Sequence, residues 1–123
     1  MFINKLKSKI HRATVTDSNL NYEGSIIIDE NLMLSAGIVP FEKVAIFNIN
    51  NGERFSTYAL EGLKDSGIIC LNGAASRKAL VGDLIIIVSY VLVKLSSYDS
   101  FYPAIIHVDQ KNQITKTYYG NKR

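Results

Sequence analysis

Apolar and polar residues alternate along much of this chain in short runs, and turn-forming residues separate the runs. That period of two predicts strands rather than helices. Residues 42–50 alternate in this way, Asn51-Gly52 marks a hairpin, and residues 53–60 return as the partner strand. The β-branched run 5–16, the apolar run 25–29, and segments 68–71, 84–93, 104–109 and 114–118 predict further strands. Helix is scarce. Asp29 can cap a short helix running to Ala36, with Gly37 as its C-terminal stop, and residues 74–79 predict another turn or two. Many short strands with frequent turns suggest a closed all-β barrel, because closure removes exposed edges. The last residues, 119–123, read as a frayed basic tail.

Composition narrows the class without changing this picture. A chain of 123 residues predicts one domain, 1–123, with a single core and no internal repeat or linker. The hydrophobic share of 47% against 20% charged residues argues against disorder. The longest apolar segment, 84–93, is interrupted by Ser89 and Tyr90 and falls short of the roughly 20 residues that span a bilayer. Lys5, Lys7 and Lys9 stand near the start without an apolar stretch of the signal-peptide kind, so the cytoplasm is the expected location. The one cysteine, Cys70, sits in Ile68-Ile69-Cys70-Leu71 and reads as a buried strand residue rather than a nucleophile. A net charge of +3 permits an acidic substrate without demanding one.

Few residues offer chemistry. His11 and His107 are far apart in sequence and lack further ligands at metal spacing, so no metal site is expected. No glycine-rich phosphate loop is present, and a Ser-His-Asp triad has no elbow sequence to support it. What stands out is Gly24-Ser25, placed directly against Ile26-Ile27-Ile28. A serine hydroxyl can attack the carbonyl of the residue before it, turning the peptide into an ester. A glycine there lacks a Cβ and admits a positive φ, which would help the hydroxyl reach that carbonyl. β-Elimination of the ester then cuts the chain and leaves dehydroalanine, which hydrolyses to a pyruvoyl group and ammonia. Such a ketone condenses with an amine to an imine, an electron sink for decarboxylation without pyridoxal phosphate. Taken alone, Gly-Ser is ordinary turn material, so its neighbours must decide.

The neighbours are Lys9-Ile10-His11-Arg12, Leu20-Asn21-Tyr22-Glu23-Gly24-Ser25, Ala36-Gly37-Ile38, Asn51-Gly52-Glu53-Arg54-Phe55-Ser56-Thr57-Tyr58-Ala59, Asn72-Gly73-Ala74-Ala75 and Val81-Gly82-Asp83. Through these words the chain closely resembles the pyruvoyl-dependent aspartate 1-decarboxylases. The resemblance is strong from about residue 5 to 93, and Pro103, Val108-Asp109 and Asn112 still fit it later. It implies a six-stranded double-psi β-barrel with short helices, and self-cleavage between Gly24 and Ser25 into chains 1–24 and 25–123. It also implies a homotetramer with sites between neighbouring subunits, and conversion of L-aspartate to β-alanine and carbon dioxide for pantothenate and coenzyme A synthesis.

Carried over by residue, the resemblance makes Ser25 the precursor of the pyruvoyl cofactor and Tyr58 the proton donor. Thr57 assists processing and, with Asn72, Gly73, Ala74 and Ala75, lines the substrate site. Lys9 and Arg54 border it, and are expected to hold the side-chain carboxylate of aspartate, since gripping the departing carboxylate would oppose its loss. His11 is an accessory residue whose role is orienting, structural or at a subunit contact. Phe47 stands where many members carry tryptophan, which changes the pocket wall, and residues 94–100 lack the acidic segment usual before the late proline and read as a surface loop. A maturation partner for cleavage is one open expectation. Two rival readings are a β-barrel DNA-binding module and a pyruvoyl decarboxylase for another amino acid. The first expects a concentrated basic face, whereas here 14 basic residues are scattered among 11 acidic ones. Neither a nucleic acid nor a membrane is an expected partner.

Overall fold

A computed structural model of the chain describes residues 1–120. Nine strands form one ladder: β1 (Phe2–Thr14), β2 (Asp17–Asn19), β3 (Ser25–Asp29), β4 (Lys43–Asn48), β5 (Arg54–Gly62), β6 (Ile69–Asn72), β7 (Leu84–Lys94), β8 (Ala104–Val108) and β9 (Ile114–Tyr119). Their order is β2-β6-β3-β5-β4-β7-β1-β8-β9. The all-β class is therefore as expected, and every predicted strand is present, 25–29 with the same ends and the others shifted at one end or both. The described ladder runs open from β2 to β9; the six-stranded double-psi barrel stays what the resemblance implies. Two elements were not foreseen: β2, and the 3-10 segment Leu95–Ser100, which lies exposed where a surface loop was expected.

Alternation decides which side each residue faces. Ile10, Ile26, Ile28, Ile46, Ile69, Leu71, Ile85, Ile87 and Ile106 point inward and lose all contact with solvent. The residues between them point outward. The hairpin closes as predicted, with the Gly52 N–H donating to the Asn48 carbonyl at 2.9 Å and Gly52 at φ 78°. A short helix, α1 (Glu30–Ala36), starts where the Asp29 carboxylate accepts from the Asn31 N–H and ends at the left-handed Gly37. Asp29 also accepts from the Asp65 and Gly67 N–H groups, which ties the loop before β6 to the helix start.

Two further clasps hold β1 in place. Asn112 bonds Thr14 on both its N–H and its carbonyl, and donates to the Gly67 carbonyl at 2.7 Å. β1 itself runs between β7, antiparallel, and β8, parallel, with irregular register around residues 6–8 and 10–13. The tail expected to fray is held as far as it is described: Tyr119 pairs with Ala104, and the Gly120 N–H donates to the Pro103 carbonyl at 3.0 Å. Its remainder, 121–123, lies outside the described residues. No helix of the described residues is long and apolar enough to cross a membrane.

Candidate active site

β3 and β6 run antiparallel with Ser25 opposite Asn72. The Asn72 side-chain amide donates from Nδ2 to Ser25 Oγ at 3.2 Å, and both residues are buried. Asn72 ends its strand, and the chain turns at once into the 3-10 segment Gly73–Arg77. Ala74 and Ala75 from that turn join Gly24, Phe55, Ser56, Thr57 and Lys78 around a pocket of about 230 Å³. The first N–H groups of such a turn have no partner within it, so they can meet an anionic oxygen.

The permissive glycine is not the one expected. Gly24 lies outside the left-handed region, and a Cβ built on it would meet nothing nearer than the Asn72 carbonyl at 4.0 Å. Gly73 carries the constraint instead. Its φ is 63°, and a Cβ there would stand 2.7 Å from the Gly24 nitrogen, 2.8 Å from the Gly24 Cα and 2.8 Å from the Tyr22 carbonyl oxygen. The turn after β6 is therefore pressed against Gly24 on its N-terminal side, one bond short of the link to Ser25, and only glycine permits that approach.

Strand parity sorts the other candidates. β3 pairs in parallel with β5, with Ile26 beside Ala59; continued by two residues, that register sets Gly24 beside Thr57 and Ser25 beside Tyr58. Thr57 pairs with the buried Val44 and faces inward, whereas Tyr58 pairs with Lys43 and faces outward. The Tyr58 ring stacks on Phe41 at 5.8 Å between centroids. Tyr58 does not line the pocket on Gly24.

Arg54, two turns of the pleat from Tyr58, shares its outward side. Its guanidinium lies 4.1 Å from the centre of the Phe47 ring, so the phenylalanine in the usual tryptophan position still offers an aromatic face. Two adjacent outward rows cross the sheet. One joins Ser56, Ala45, Val88, Lys9 and Ile105; the other joins Arg54, Phe47 and Ile86 and reaches the bend in β1 that carries His11. Lys9, His11, Phe47 and Arg54 thus belong to one face. Among the described residues, neither Lys9 nor Arg54 forms an ion pair, and neither lines the pocket on Gly24. The pocket on Gly24 and the outward face that carries Arg54 are thus two groups of candidate residues on one chain.

His11 has a neighbour that spacing could not show. His107 stands beside it in register on β8, with ring centroids 5.1 Å apart. His11 Nδ1 is buried without a hydrogen-bond partner, and burial holds its pKa below the usual 6.5, helped by the charges of Lys9, His107 and Arg12. Among the described residues, no three His, Cys, Asp or Glu side chains gather as a metal set. Cys70 is the buried strand residue the sequence predicts, and what sequence reasoning missed is its contact, with Sγ 3.3 Å from Asn72 Oδ1. Burial and the Asp17 carboxylate raise its thiol, so it carries its proton. The signal was present as the spacing Cys70-Leu71-Asn72, which puts two side chains on one side of a strand.

Comparison with known proteins points one way. The family model described as aspartate decarboxylase matches residues 1–115. The aspartate 1-decarboxylase of Caldicellulosiruptor bescii is 60% identical over 116 residues, covering 94% of this chain and 91% of that protein. That of Syntrophus aciditrophicus is 60% identical over 109 residues, 89% of this chain and 94% of the relative. That of Campylobacter fetus is 59% identical over 116 residues, 94% of this chain and the whole of the relative.

Proposed function

The chain belongs to the aspartate decarboxylase family, and from that premise we propose that it cuts itself between Gly24 and Ser25 and then releases carbon dioxide from L-aspartate. The enzyme is a carbon-carbon lyase that forms β-alanine, and the family's role is in pantothenate synthesis. The observation that carries the processing step is the buried Ser25 Oγ, bonded to Asn72 and held beside a glycine that the Gly73 turn clamps.

Processing needs only this chain's atoms and water. Ser25 Oγ attacks the Gly24 carbonyl carbon, and the amide nitrogen leaves with the hydroxyl proton to give an ester. Thr57, on the inner side next to Gly24, is placed to donate to the oxygen that becomes negative during attack. Loss of the Cα proton of residue 25 then expels the Gly24 carboxylate, and water replaces the freed nitrogen as ammonia. The residues present fit the resulting pyruvoyl group: position 25 is buried, the Asn72 amide stands beside it, and a pocket opens next to Gly24. The ketone supplies the electron-accepting carbonyl that lets a carboxylate leave as carbon dioxide.

The chain's other side chains hold the substrate and move one proton. Arg54 and Lys9 take the side-chain carboxylate; the Phe47 ring beneath the guanidinium keeps it flat for a two-point grip. Tyr58 delivers a proton from its phenol to the substrate carbon after carbon dioxide departs. Asn72 and the turn residues Gly73, Ala74 and Ala75 line the substrate's other end. The Gly24 pocket and the Arg54 face act as half-sites that meet between subunits of a homotetramer in the cytoplasm. Supporting this, Arg54 and Lys9 lie off the Gly24 pocket, and Phe41, against which Tyr58 stacks, is 74% exposed in the single chain. Two cations on adjacent outward rows that serve a substrate with two carboxylates need no nucleic acid to explain them.

The test is intact mass. Freshly purified chain should convert on incubation to residues 1–24 and 25–123, the latter blocked at its N-terminus by a ketone. Borohydride added with aspartate should fix the substrate to the larger fragment. A single intact mass after prolonged warm incubation, with and without cell extract, would sink the reading; conversion only with extract would place a maturation partner in the pathway.

A further inference from the structure

Three buried side chains on two paired strands are linked in series. Ser25 faces Asn72 and Ile27 faces Cys70 across β3 and β6, so Cys70 and Asn72 project to the same side as Ser25. Cys70 Sγ contacts Asn72 Oδ1 at 3.3 Å, and Asn72 Nδ2 donates to Ser25 Oγ at 3.2 Å. None of the three is more than 8% exposed, so water does not compete for these groups.

A primary amide has a donor end and an acceptor end, and its environment decides which end faces a neighbour. A protonated thiol is a donor, and it matches the acceptor end, Oδ1. The donor end is thereby turned to Ser25. With no donor at position 70, the amide is free to rotate by half a turn and present its oxygen to the serine hydroxyl. The identity of residue 70 therefore reaches Ser25 without touching it.

We propose that Cys70 is a positioning residue for self-cleavage, acting through the Asn72 amide on the oxygen that departs in the elimination step; the inference rests on the cleavage reading above. In the attack, Oγ forms its bond to the Gly24 carbonyl carbon and the amide nitrogen takes the proton. A donor on Oγ does not help that step, since it draws on the lone pairs that must attack. In the elimination, the Cα–H proton of residue 25 leaves to a base, the Cβ–Oγ bond breaks, and both bonding electrons go to Oγ. That oxygen ends in the Gly24 carboxylate. A hydrogen bond to it strengthens as the charge grows, so the Asn72 donor favours the second step over the first.

The experiment follows both steps in wild type, Cys70→Ala, Cys70→Val and Cys70→Ser. Ester and peptide have the same mass, so hydroxylamine is used to divide them: it opens the ester to release residues 1–24 as a hydroxamate and leaves serine at position 25, whereas completed elimination leaves the ketone. Cys70→Ala and Cys70→Val should eliminate about five- to tenfold more slowly, the size expected for one hydrogen bond. The hydroxylamine-sensitive fraction should rise with time. Cys70→Ser keeps a donor and should restore the wild-type course. Unchanged partition in the alanine and valine variants, at native melting temperature, overturns the proposal. So does a serine variant that behaves like alanine, or slowing of cleavage without ester build-up. A wild-type chain that never cuts overturns the cleavage reading and this inference together, and is told apart by that control alone.

Discussion

A Cβ on Gly73 would stand 2.7 Å from the backbone nitrogen of Gly24, across two segments almost fifty residues apart in the chain. Glycine at 73, rather than at 24, is what lets the turn after β6 bear on the backbone just before Ser25.

Gly73→Ala should therefore damage what Gly24→Ala leaves alone. The first adds a clash with Gly24 and Tyr22 at a φ of 63°, and the second meets nothing closer than 4.0 Å. A destabilisation of roughly 1–3 kcal/mol is expected for Gly73→Ala from the backbone strain alone. Differential scanning calorimetry of both variants in a Ser25→Ala background, where no cut interferes, gives the comparison. Equal melting temperatures would show that the turn yields freely.

Tyr58→Phe keeps the ring against Phe41 and removes only the acid. Cleavage should proceed, because Tyr58 does not line the pocket on Gly24. β-Alanine formation should fall by at least about 10²-fold, the usual size of a positioned general acid. Product assays on fully cleaved protein check it, and near-normal turnover would assign the proton to water.

Arg54→Lys retains charge but loses the flat two-point grip and the stack on Phe47. Its KM for aspartate should rise at least tenfold, with a smaller rise for Phe47→Leu, since an exposed cation–π contact contributes only about 0.5–1 kcal/mol. Arg54→Ala, inactive alone, should regain activity when co-expressed with Ser25→Ala if the half-sites meet between subunits. Absence of complementation in proven mixed oligomers would place both halves in one chain.

These tests separate what could be read along the chain from what could not. Alternation is local, so the strands, the Asn51-Gly52 hairpin and the Asp29 cap were legible in short windows. The β2 strand was missed because Asp17-Ser18-Asn19 carries turn residues and is held by pairing with β6 rather than by its own pattern. The Cys70–Asn72–Ser25 series, the Gly73 approach and the His11–His107 pair all depend on register between strands distant in sequence. No composition or period encodes that register. Family words named Ser25, Arg54 and Tyr58, and only the fold showed that one chain holds them in two groups.

His11 gives a pH signature. Burial, then Lys9, His107 and Arg12, lower its pKa below the ordinary 6.5. As pH falls, the unfolded chain binds this proton before the folded one does. Stability is therefore full above about 6.5, declines down to the folded pKa, and levels below it. His11→Gln should flatten that part of the melting curve between pH 8 and 5. His107→Gln removes one cause, so an NMR titration should find His11 closer to its ordinary value. Parallel stability profiles for wild type and His11→Gln would contradict this.

β1 lies between β7 and β8, so the proposed cut after Gly24 would leave the severed piece gripped in the middle of the ladder. The intact precursor folds as one molecule, at a rate indifferent to dilution. A cut molecule that comes apart must find its lost strand by collision, and that search slows with every dilution. Maturation would thus erase the route by which the protein was made. From then on its working life would be set by how slowly it opens, because at low concentration what opens returns only slowly.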